Sequence, residues 1–148
     1  MAAGAFVVHD KVKERMGNGV INFDTDTFKV VLCASTSNAA TASLEAYASL
    51  TNELSTANGY TAGGVTVSPT WTESSGTVTF DIADPSWTAS GGSIVARFAV
   101  IYDDTVSSPV AKPIIAHCLL DSAPADVTTT TGNTLTIQIS SSGVFSVT

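Results

Sequence analysis

An apolar stretch at residues 93–103, Ser-Ile-Val-Ala-Arg-Phe-Ala-Val-Ile-Tyr-Asp, organises the hydrophobic pattern of the chain. It is too short to cross a membrane, and its β-branched and aromatic residues favour a strand over a helix. Polar residues at its ends and an almost uninterrupted apolar middle predict a central strand that is buried on both faces. Arg97 is the exception inside it, and we expect this charge to be paired or to lie at an edge or interface.

A second apolar run, residues 114–120, follows a loop that carries Pro109 and Pro113. The two runs are predicted to pair as a long hairpin from which the rest of the sheet extends. Further strands are predicted at residues 5–8, 20–23, 28–34, 65–67, from 71 onward, 77–82, a short edge strand at 87, 134–139 and 144–147. Alternation turns one set of apolar side chains inward in two of these strands: Val78, Phe80 and Ile82, and Leu135, Ile137 and Ile139.

Helical patterns occur twice. Residues 10–16 fit two turns, with Asp10 as the N-cap and with Val12 and Met16 on one face. Residues 42–54 place apolar side chains at helical spacing, and either Thr41 or Ser43 is available to cap them. We therefore predict one substantial helix, within a long excursion at residues 35–64 that is a candidate binding element.

We expect eight or nine of these segments to form strands, and short strands separated by turns predict a mainly β, two-sheet antiparallel sandwich. Both a jelly-roll-like and an immunoglobulin-like arrangement fit this pattern. The length of 148 residues suits a single domain, residues 1–148. Within it we expect residues 1–16 to form an N-terminal arm that adds little to the core, and residues 35–64 to form the loop and helix excursion.

The surface carries unusually little charge. Charged residues make up 13% of the chain and the net charge is −7. Such a neutral polar surface suits a protein that packs against copies of itself or a partner, and it equally suits a secreted or simply threonine-rich β protein. The acidic balance argues against nucleic acid as a ligand. No membrane span or signal peptide is expected, so we expect a soluble protein that accumulates in a cytoplasm.

The few chemically reactive residues do not form a catalytic pattern. Cys33 and Cys118 lie in apolar runs and are expected to be free thiols, although a disulfide is compatible with the sequence. His9 lies near an N-terminus expected to be flexible. His117 adjoins Cys118, but neighbours on a strand point to opposite faces and so do not form a nucleophile–base pair. We expect no enzyme, and no catalytic, cofactor-binding or metal-binding residues.

Two weaker binding hypotheses remain. The carboxylate pairs Asp24 with Asp26, and Asp103 with Asp104, lie at strand ends where oxygen ligands hold calcium, but turn formation is the simpler reading. The two tryptophans, at positions 71 and 87, fit either a carbohydrate platform or the core, and the core is favoured.

Several short stretches together resemble a group of small virion proteins of tailed bacteriophages. The stretches are 17–19 (Gly-Asn-Gly), 24–30 (Asp-Thr-Asp-Thr-Phe-Lys-Val), 50–53 (Leu-Thr-Asn-Glu), 58–64 (Asn-Gly-Tyr-Thr-x-Gly-Gly), 89–97 (Ala-Ser-Gly-Gly-Ser-Ile-x-Ala-Arg) and 102–104 (Tyr-Asp-Asp). The resemblance implies a capsid decoration (cement) protein that binds the outside of the phage head. Its partners would be the major capsid protein and copies of itself, as a homotrimer in the virion. A tail or head–tail component, and a carbohydrate-binding β-sandwich, are the alternatives.

Overall fold

A computed structural model describes residues 2–148 and shows a mainly β protein with several antiparallel sheets and a short α-helix. The α-helix, α1, is Val12–Gly17, and a 3-10 helix covers Tyr47–Ser49. The strands are β1 Val7–Val8, β2 Phe28–Cys33, β3 Val65–Val67, β4 Pro69–Ser74, β5 Thr77–Ile82, β6 Ser86–Thr88, β7 Ile94–Ala96, β8 Phe98–Asp103, β9 Ile114–Leu119, β10 Val127–Thr129, β11 Thr134–Thr136 and β12 Phe145–Val147.

A five-stranded antiparallel sheet with the order β1-β9-β8-β2-β3 forms the centre of the fold. The predicted hairpin is confirmed, because β8 pairs with β9 and, for example, Val100 lies opposite His117. β2 covers the other side of β8 along its whole length, with Val31 opposite Val100. Every residue of β8 is buried, which confirms the expected central position of this segment.

The predicted strand at residues 93–103 is in fact two strands that belong to different sheets. β7 pairs with β10 alone, whereas β8 enters the five-stranded sheet, and Arg97 lies between them. The Arg97 backbone follows the large sheet, since its N–H donates to Cys33 O at 2.8 Å. Its guanidinium Nε lies 2.8 Å from Asp126 Oδ1 and is partly exposed, so the expected pairing of this charge is confirmed.

Three smaller antiparallel sheets complete the β structure: β12-β5-β4, β10-β7 and β11-β6. The alternation predicted for β5 is confirmed, with Phe80 and Ile82 buried. The strand predicted at residues 134–139 is shorter than expected. After β11 the chain leaves the strand ladder, because Ile137 N–H donates to Pro85 O and Ile139 N–H to Asp84 Oδ1.

Each face of the five-stranded sheet carries its own apolar core. The larger core lies between this sheet and the small sheets, and includes Phe28, Phe80, Trp87, Ile101 and Ile115. The second core lies on the opposite face and includes Val31, Cys33, Phe98, Val100, Tyr102 and Ile114. The excursion at residues 35–64 covers that second core through the partly buried Leu44, Tyr47 and Leu50. The excursion is therefore packed against the five-stranded sheet and is not a free loop.

The predicted helix at residues 42–54 is wrong, because this segment pairs with a neighbouring strand instead. Ala46 is extended and forms an antiparallel bridge to Pro113. Tyr47 N–H donates to Lys112 O at 2.9 Å, and Ile114 N–H donates to Glu45 O at 3.0 Å. These bonds occupy backbone groups that a helix would need internally, so only the 3-10 turn remains.

The strand predicted at residues 20–23 is also absent, because Asn22 starts a turn. Its side-chain oxygen accepts the N–H groups of Asp24 at 3.0 Å and Thr25 at 3.2 Å. The Asn22 N–H in turn donates to Asp26 Oδ2 at 2.7 Å. The turn predicted at residues 24–27 is confirmed and begins two residues earlier than expected.

The N-terminal segment, predicted to be an arm, packs closely against the rest of the protein. β1 pairs with β9 through Val7 and Val8. Val12 is 1% exposed and belongs to the larger core, so the expectation that residues 1–16 add little to the core is wrong. The proposed Asp10 cap is wrong as well, since the residue before α1 is Lys11 and it makes no side-chain capping bond. Met1 lies outside the described residues.

Cys33 and Cys118 are both free and buried. They lie in different cores, on opposite faces of the five-stranded sheet, so the sheet itself separates the two sulfur atoms. Burial raises the pKa of each thiol to about 12, which keeps both protonated at neutral pH.

We therefore predict that thiol titration of the unreduced protein counts both cysteines after denaturation and neither in the native state. The reason is that the free thiols are covered by the fold until it opens. Ellman's reagent with and without guanidinium measures this. A count of zero under denaturing conditions would show oxidation.

Candidate interaction surface

Glu53 links separate parts of the excursion through three hydrogen bonds. Its Oε1 accepts the Tyr60 hydroxyl at 2.7 Å and the Gly63 N–H at 2.6 Å. Its Oε2 accepts the Tyr47 hydroxyl. Glu53 also forms an isolated antiparallel bridge with Cys33, which brings its side chain to the edge of β2. One half-buried carboxylate thus joins three separate points of the excursion.

Three tyrosines surround this carboxylate. Tyr47 stacks on Tyr102, with ring centroids 4.4 Å apart, and the Tyr102 hydroxyl donates to Gly63 O at 2.9 Å. Burial raises the pKa of Tyr102 to about 12, and burial together with the Glu53 hydrogen bonds raises the pKa of Tyr47 and Tyr60 further. All three phenols stay protonated at neutral pH and act as hydrogen-bond donors, which is a structural role.

Arg15 joins α1 to the same excursion. Its side chain is 8% exposed, and its Nη2 lies 2.6 Å from Glu45 Oε2. Because Glu45 O also accepts the Ile114 N–H, the excursion is bonded to β9 at the same residue. The N-terminal segment thus contributes a buried cation that the excursion neutralises.

His9 and His117 form a buried pair, which corrects the expectation that His9 lies in a flexible terminus. His9 is 2% exposed and His117 is 6% exposed. His9 Nε2 lies 3.0 Å from His117 Nδ1, and His9 Nδ1 lies 2.8 Å from Leu44 O. Since a carbonyl only accepts, the hydrogen bonds assign the proton of neutral His9 to Nδ1 and let His117 Nδ1–H donate.

The surroundings of the two histidines favour the neutral form of both side chains. Burial lowers the pKa of His9, and burial together with the neighbouring His9 lowers the pKa of His117 to about 4. A second proton on His9 would place two N–H groups against each other. His117 and Cys118 lie on opposite faces of β9, as alternation predicted, so the imidazole does not reach the thiol.

The carboxylates considered for calcium make different contacts and do not point to one site. Asp103 is fully buried, and its Oδ1 accepts the N–H groups of Thr105 and Val106. Burial, with the Asp26 carboxyl beside it, raises the pKa of Asp103 to about 7. Asp104 instead bonds two lysines: its Oδ2 lies 3.2 Å from Lys29 Nζ, and its Oδ1 lies 2.7 Å from Lys112 Nζ.

No group of three histidine, cysteine, aspartate or glutamate side chains within residues 2–148 is placed to hold a metal ion. The two tryptophans also fail to form a paired platform. Trp87 is 6% exposed in the larger core, and Trp71 stacks on Phe23 at a centroid distance of 5.2 Å. Both rings therefore serve packing first.

Opposite pH effects are expected from the histidine pair and Asp103. The pKa of His117 falls from 6.5 to about 4, so the unfolded chain binds more protons in this window and the fold loses stability as pH falls through it. The pKa of Asp103 rises from 3.8 to about 7, so the fold gains stability as pH falls through that window. The two effects oppose each other between pH 5 and pH 7.

We predict that removing either group reveals the other. Asp103→Asn should make the free energy of unfolding decrease by about 2 kcal/mol from pH 7 to pH 5, while His9→Asn/His117→Asn should make it increase. Urea unfolding at several pH values measures the two slopes, and the wild-type protein serves as the reference. Equal slopes in all three proteins would contradict this account.

Glu53, the histidine pair and the Arg15–Glu45 ion pair were not foreseen as a unit. Each joins residues far apart in the chain, and His9 and His117 are separated by 108 positions. The available signal was indirect: two histidines in a chain that has no others, and a few charged residues in a chain that has little charge.

Comparison of this chain with protein-family models, with curated proteins and with solved structures gave no match in any of the three. Across residues 2–148, every helix is too short or too polar to cross a membrane.

Proposed function

We propose that this chain is a non-enzymatic structural protein of a tailed-bacteriophage virion, a capsid decoration protein that binds and stabilises the outside of the head. In this proposal the sheets stack as a two-layer antiparallel sandwich of the jelly-roll-like or immunoglobulin-like type. The protein acts as a homotrimer on the major capsid protein, and residues 2–6 and the outer side of the excursion contact its neighbours.

The main support for the proposal is that the stretches that resemble phage virion proteins contact one another in the fold. Asn58 Nδ2 donates to Ser93 O at 3.0 Å. Tyr102 OH donates to Gly63 O, and Gly63 N–H donates to Glu53 Oε1. With the ion pair of Lys29 and Asp104, these bonds connect five of the six stretches. The resembling residues therefore build one structural unit that fixes the excursion, which fits a shared architecture.

The use of polar groups supports a structural role. Glu53, the histidine pair and Arg15 are bonded within the chain. Glu53 links separate parts of the excursion, His9 bonds His117 of β9, and Arg15 bonds the excursion. The exposed surface is mostly uncharged, as the 13% of charged residues requires. A fastened body with such a surface can pack closely against a repeating shell without large charge repulsion.

A direct test is co-sedimentation with capsids stripped of their outer proteins, with purified tails and with a glycan array as separate arms. Saturable binding to capsids alone supports the proposal. Binding to tails alone would replace it by the tail or head–tail alternative, and binding to glycans alone would replace it by the carbohydrate-binding alternative. Binding to none of them would overturn the virion assignment.

Deleting residues 1–6 should weaken capsid binding about tenfold or more while the protein remains folded. The deletion stops before β1 and spares the buried Val12, whereas removal of residues 1–16 would also remove part of the core. Co-sedimentation measures the binding, and circular dichroism with a melting curve checks the fold.

A disulfide supplies the matched control. A Cβ added at Gly4 would lie 3.6 Å from Leu119 Cβ, within the range that a disulfide spans. The oxidised Gly4→Cys/Leu119→Cys protein should bind like the wild type, because the segment is expected to act from its place on β9. Full binding by the folded deletion variant would refute the role of this segment.

A further inference from the structure

β4 is an open edge of the three-stranded sheet β12-β5-β4. It spans Pro69–Ser74 and is the only six-residue strand at a sheet edge in the described chain. Its pairing with β5 runs without a register shift to Ser74 opposite Thr77. The tight turn at Ser75 and Gly76, both with positive φ, closes this regular hairpin. The edge is therefore long and regular.

One hydrogen bond shows which backbone groups of β4 face β5 and which face outward. Ala83 N–H donates to Ser68 O at 3.0 Å, and the register continues from that pair into the hairpin. Because bonding alternates along an antiparallel strand, positions 70, 72 and 74 bond β5 while positions 69, 71 and 73 direct their backbone groups outward. No backbone group among residues 2–148 accepts the N–H of Trp71 or Glu73 from this outer side.

β4 lacks the features that usually block an open edge. It has no lysine and no bulge, and its proline stands at the first position. Its one charged side chain, Glu73, is held by the hairpin, since Glu73 Oε1 accepts the Gly76 N–H at 2.7 Å. The side chains of Thr70 and Thr72 are exposed and uncharged. This edge is thus open to another strand.

We propose that β4 pairs antiparallel with β4 of a second copy of this chain, about a two-fold axis at Trp71. Outward-facing positions meet one another in registers centred on any position from 69 to 73. Centring on Thr72 would form as many hydrogen bonds as centring on Trp71, but it would place Trp71 opposite Glu73 instead of its own counterpart. Centring on Thr70 would place Pro69, which has no N–H, opposite Trp71. Centring on Glu73 would put like charges opposite each other, and centring on Pro69 would lose donors because proline has no N–H. The Trp71 register places Glu73 opposite Pro69 of the copy and forms about four hydrogen bonds.

In this register the side chains favour β4 of a second copy as the strand that pairs with β4. Trp71 lies opposite its own counterpart, and stacking on Phe23 already holds the ring in place. On the other face, Thr70 lies opposite Thr72 of the copy, a pairing of β-branched residues that is common between strands. The two-fold contact does not depend on a capsid, and it would add a second symmetry axis to the proposed trimer.

Cross-linking tests the register. Positions 70 and 72 of opposite copies form a non-hydrogen-bonded pair with Cα atoms about 4.5 Å apart, which suits a disulfide. In a glutathione buffer, a mixture of the Thr70→Cys and Thr72→Cys proteins should form a linked dimer. Each variant alone should not, because the diagonal separation is about 8 Å. The native cysteines are buried and do not compete.

Analytical ultracentrifugation tests the contact without cross-links. Glu73→Pro removes an outward N–H but no bond to β5, and it should raise the dissociation constant of the two-fold contact about tenfold or more. Glu73→Gln keeps the N–H and should leave association unchanged. Thr70→Lys/Thr72→Lys places cations opposite each other and should abolish it, whereas Thr66→Lys/Thr128→Lys should not.

Three results would overturn the proposal: no concentration-dependent doubling of mass in the native protein, linking of either single-cysteine variant alone as efficiently as the mixture, or association unaffected by the lysines on β4. Loss of capsid binding by Thr70→Lys/Thr72→Lys in a protein that never doubles in mass would assign the edge to the capsid instead, and would also reject pairing between copies.

Discussion

Gly64→Ala should lower the free energy of unfolding by at least about 4 kcal/mol, the largest effect that we expect from one added methyl group. Gly64 has φ +76°, and a Cβ at this position would overlap the Val30 carbonyl oxygen and lie 2.8 Å from Val31 Cγ1. Val30 lies inside β2, which is paired on both sides and cannot withdraw without breaking a ladder. Urea unfolding or thermal melting measures the loss.

Gly63→Ala is the matched control, because it separates backbone strain from overlap. Gly63 also has a positive φ, +93°, but nothing lies within 4 Å of an added Cβ. Only the conformational cost remains, about 1–2 kcal/mol. Equal losses at the two positions would show that the overlap at Gly64 is relieved by movement of β3.

The strands of the central sheet were predictable because burial on both faces leaves a continuous apolar run. β2, β8 and β9 lie within the predicted segments, and Phe98 and Val100 are buried as expected. The change of sheet at Arg97 was not predictable, since a chain that passes from one buried sheet to another keeps its apolar pattern. The charge marked that boundary, and its partner Asp126 lies in a separate loop.

The excursion shows why a local pattern can mislead. The helical spacing is that of Leu44, Tyr47, Ala48, Thr51 and Leu54. In the structure Leu44, Tyr47 and Leu50 instead pack on the second core from an extended segment with a single 3-10 turn, and Leu54 packs on the larger core. Pairing with residues 112–114 decides the conformation there, and that partner is about 65 residues away in the chain. Helix propensity is too weak to compete with such long-range pairing.

Glu53 was part of the resembling stretch at residues 50–53, but its role depends on contacts that no local rule supplies. Its three donors come from residues on both sides of it in the excursion, and they converge only because the sheet orders that segment. The histidine pair has the same origin, since β1 reaches His117 only through its pairing with β9.

Glu53→Ala should lower the free energy of unfolding by about 3 kcal/mol, because it leaves two tyrosine hydroxyls and the Gly63 N–H without their acceptor. The loss should begin locally. In the variant, the amide hydrogens of the excursion should exchange faster than in the wild type, because the carboxylate that links its parts is gone. The amide hydrogens of β8 should change less, because β8 is paired on both sides. Chemical unfolding and hydrogen exchange measure the two effects.

Glu73→Ala is the control for removal of a carboxylate, since Glu73 is exposed and accepts a single backbone N–H; it should cost less than about 1 kcal/mol. A double-mutant cycle of Glu53→Ala with Tyr60→Phe isolates one bond of the network. Because Tyr60→Phe removes a donor that Glu53→Ala would strand, the double variant should lose less stability than the sum of the single losses. Strict additivity would mean that the two side chains do not depend on each other, and that the hydrogen bond between them adds nothing to the stability of the excursion.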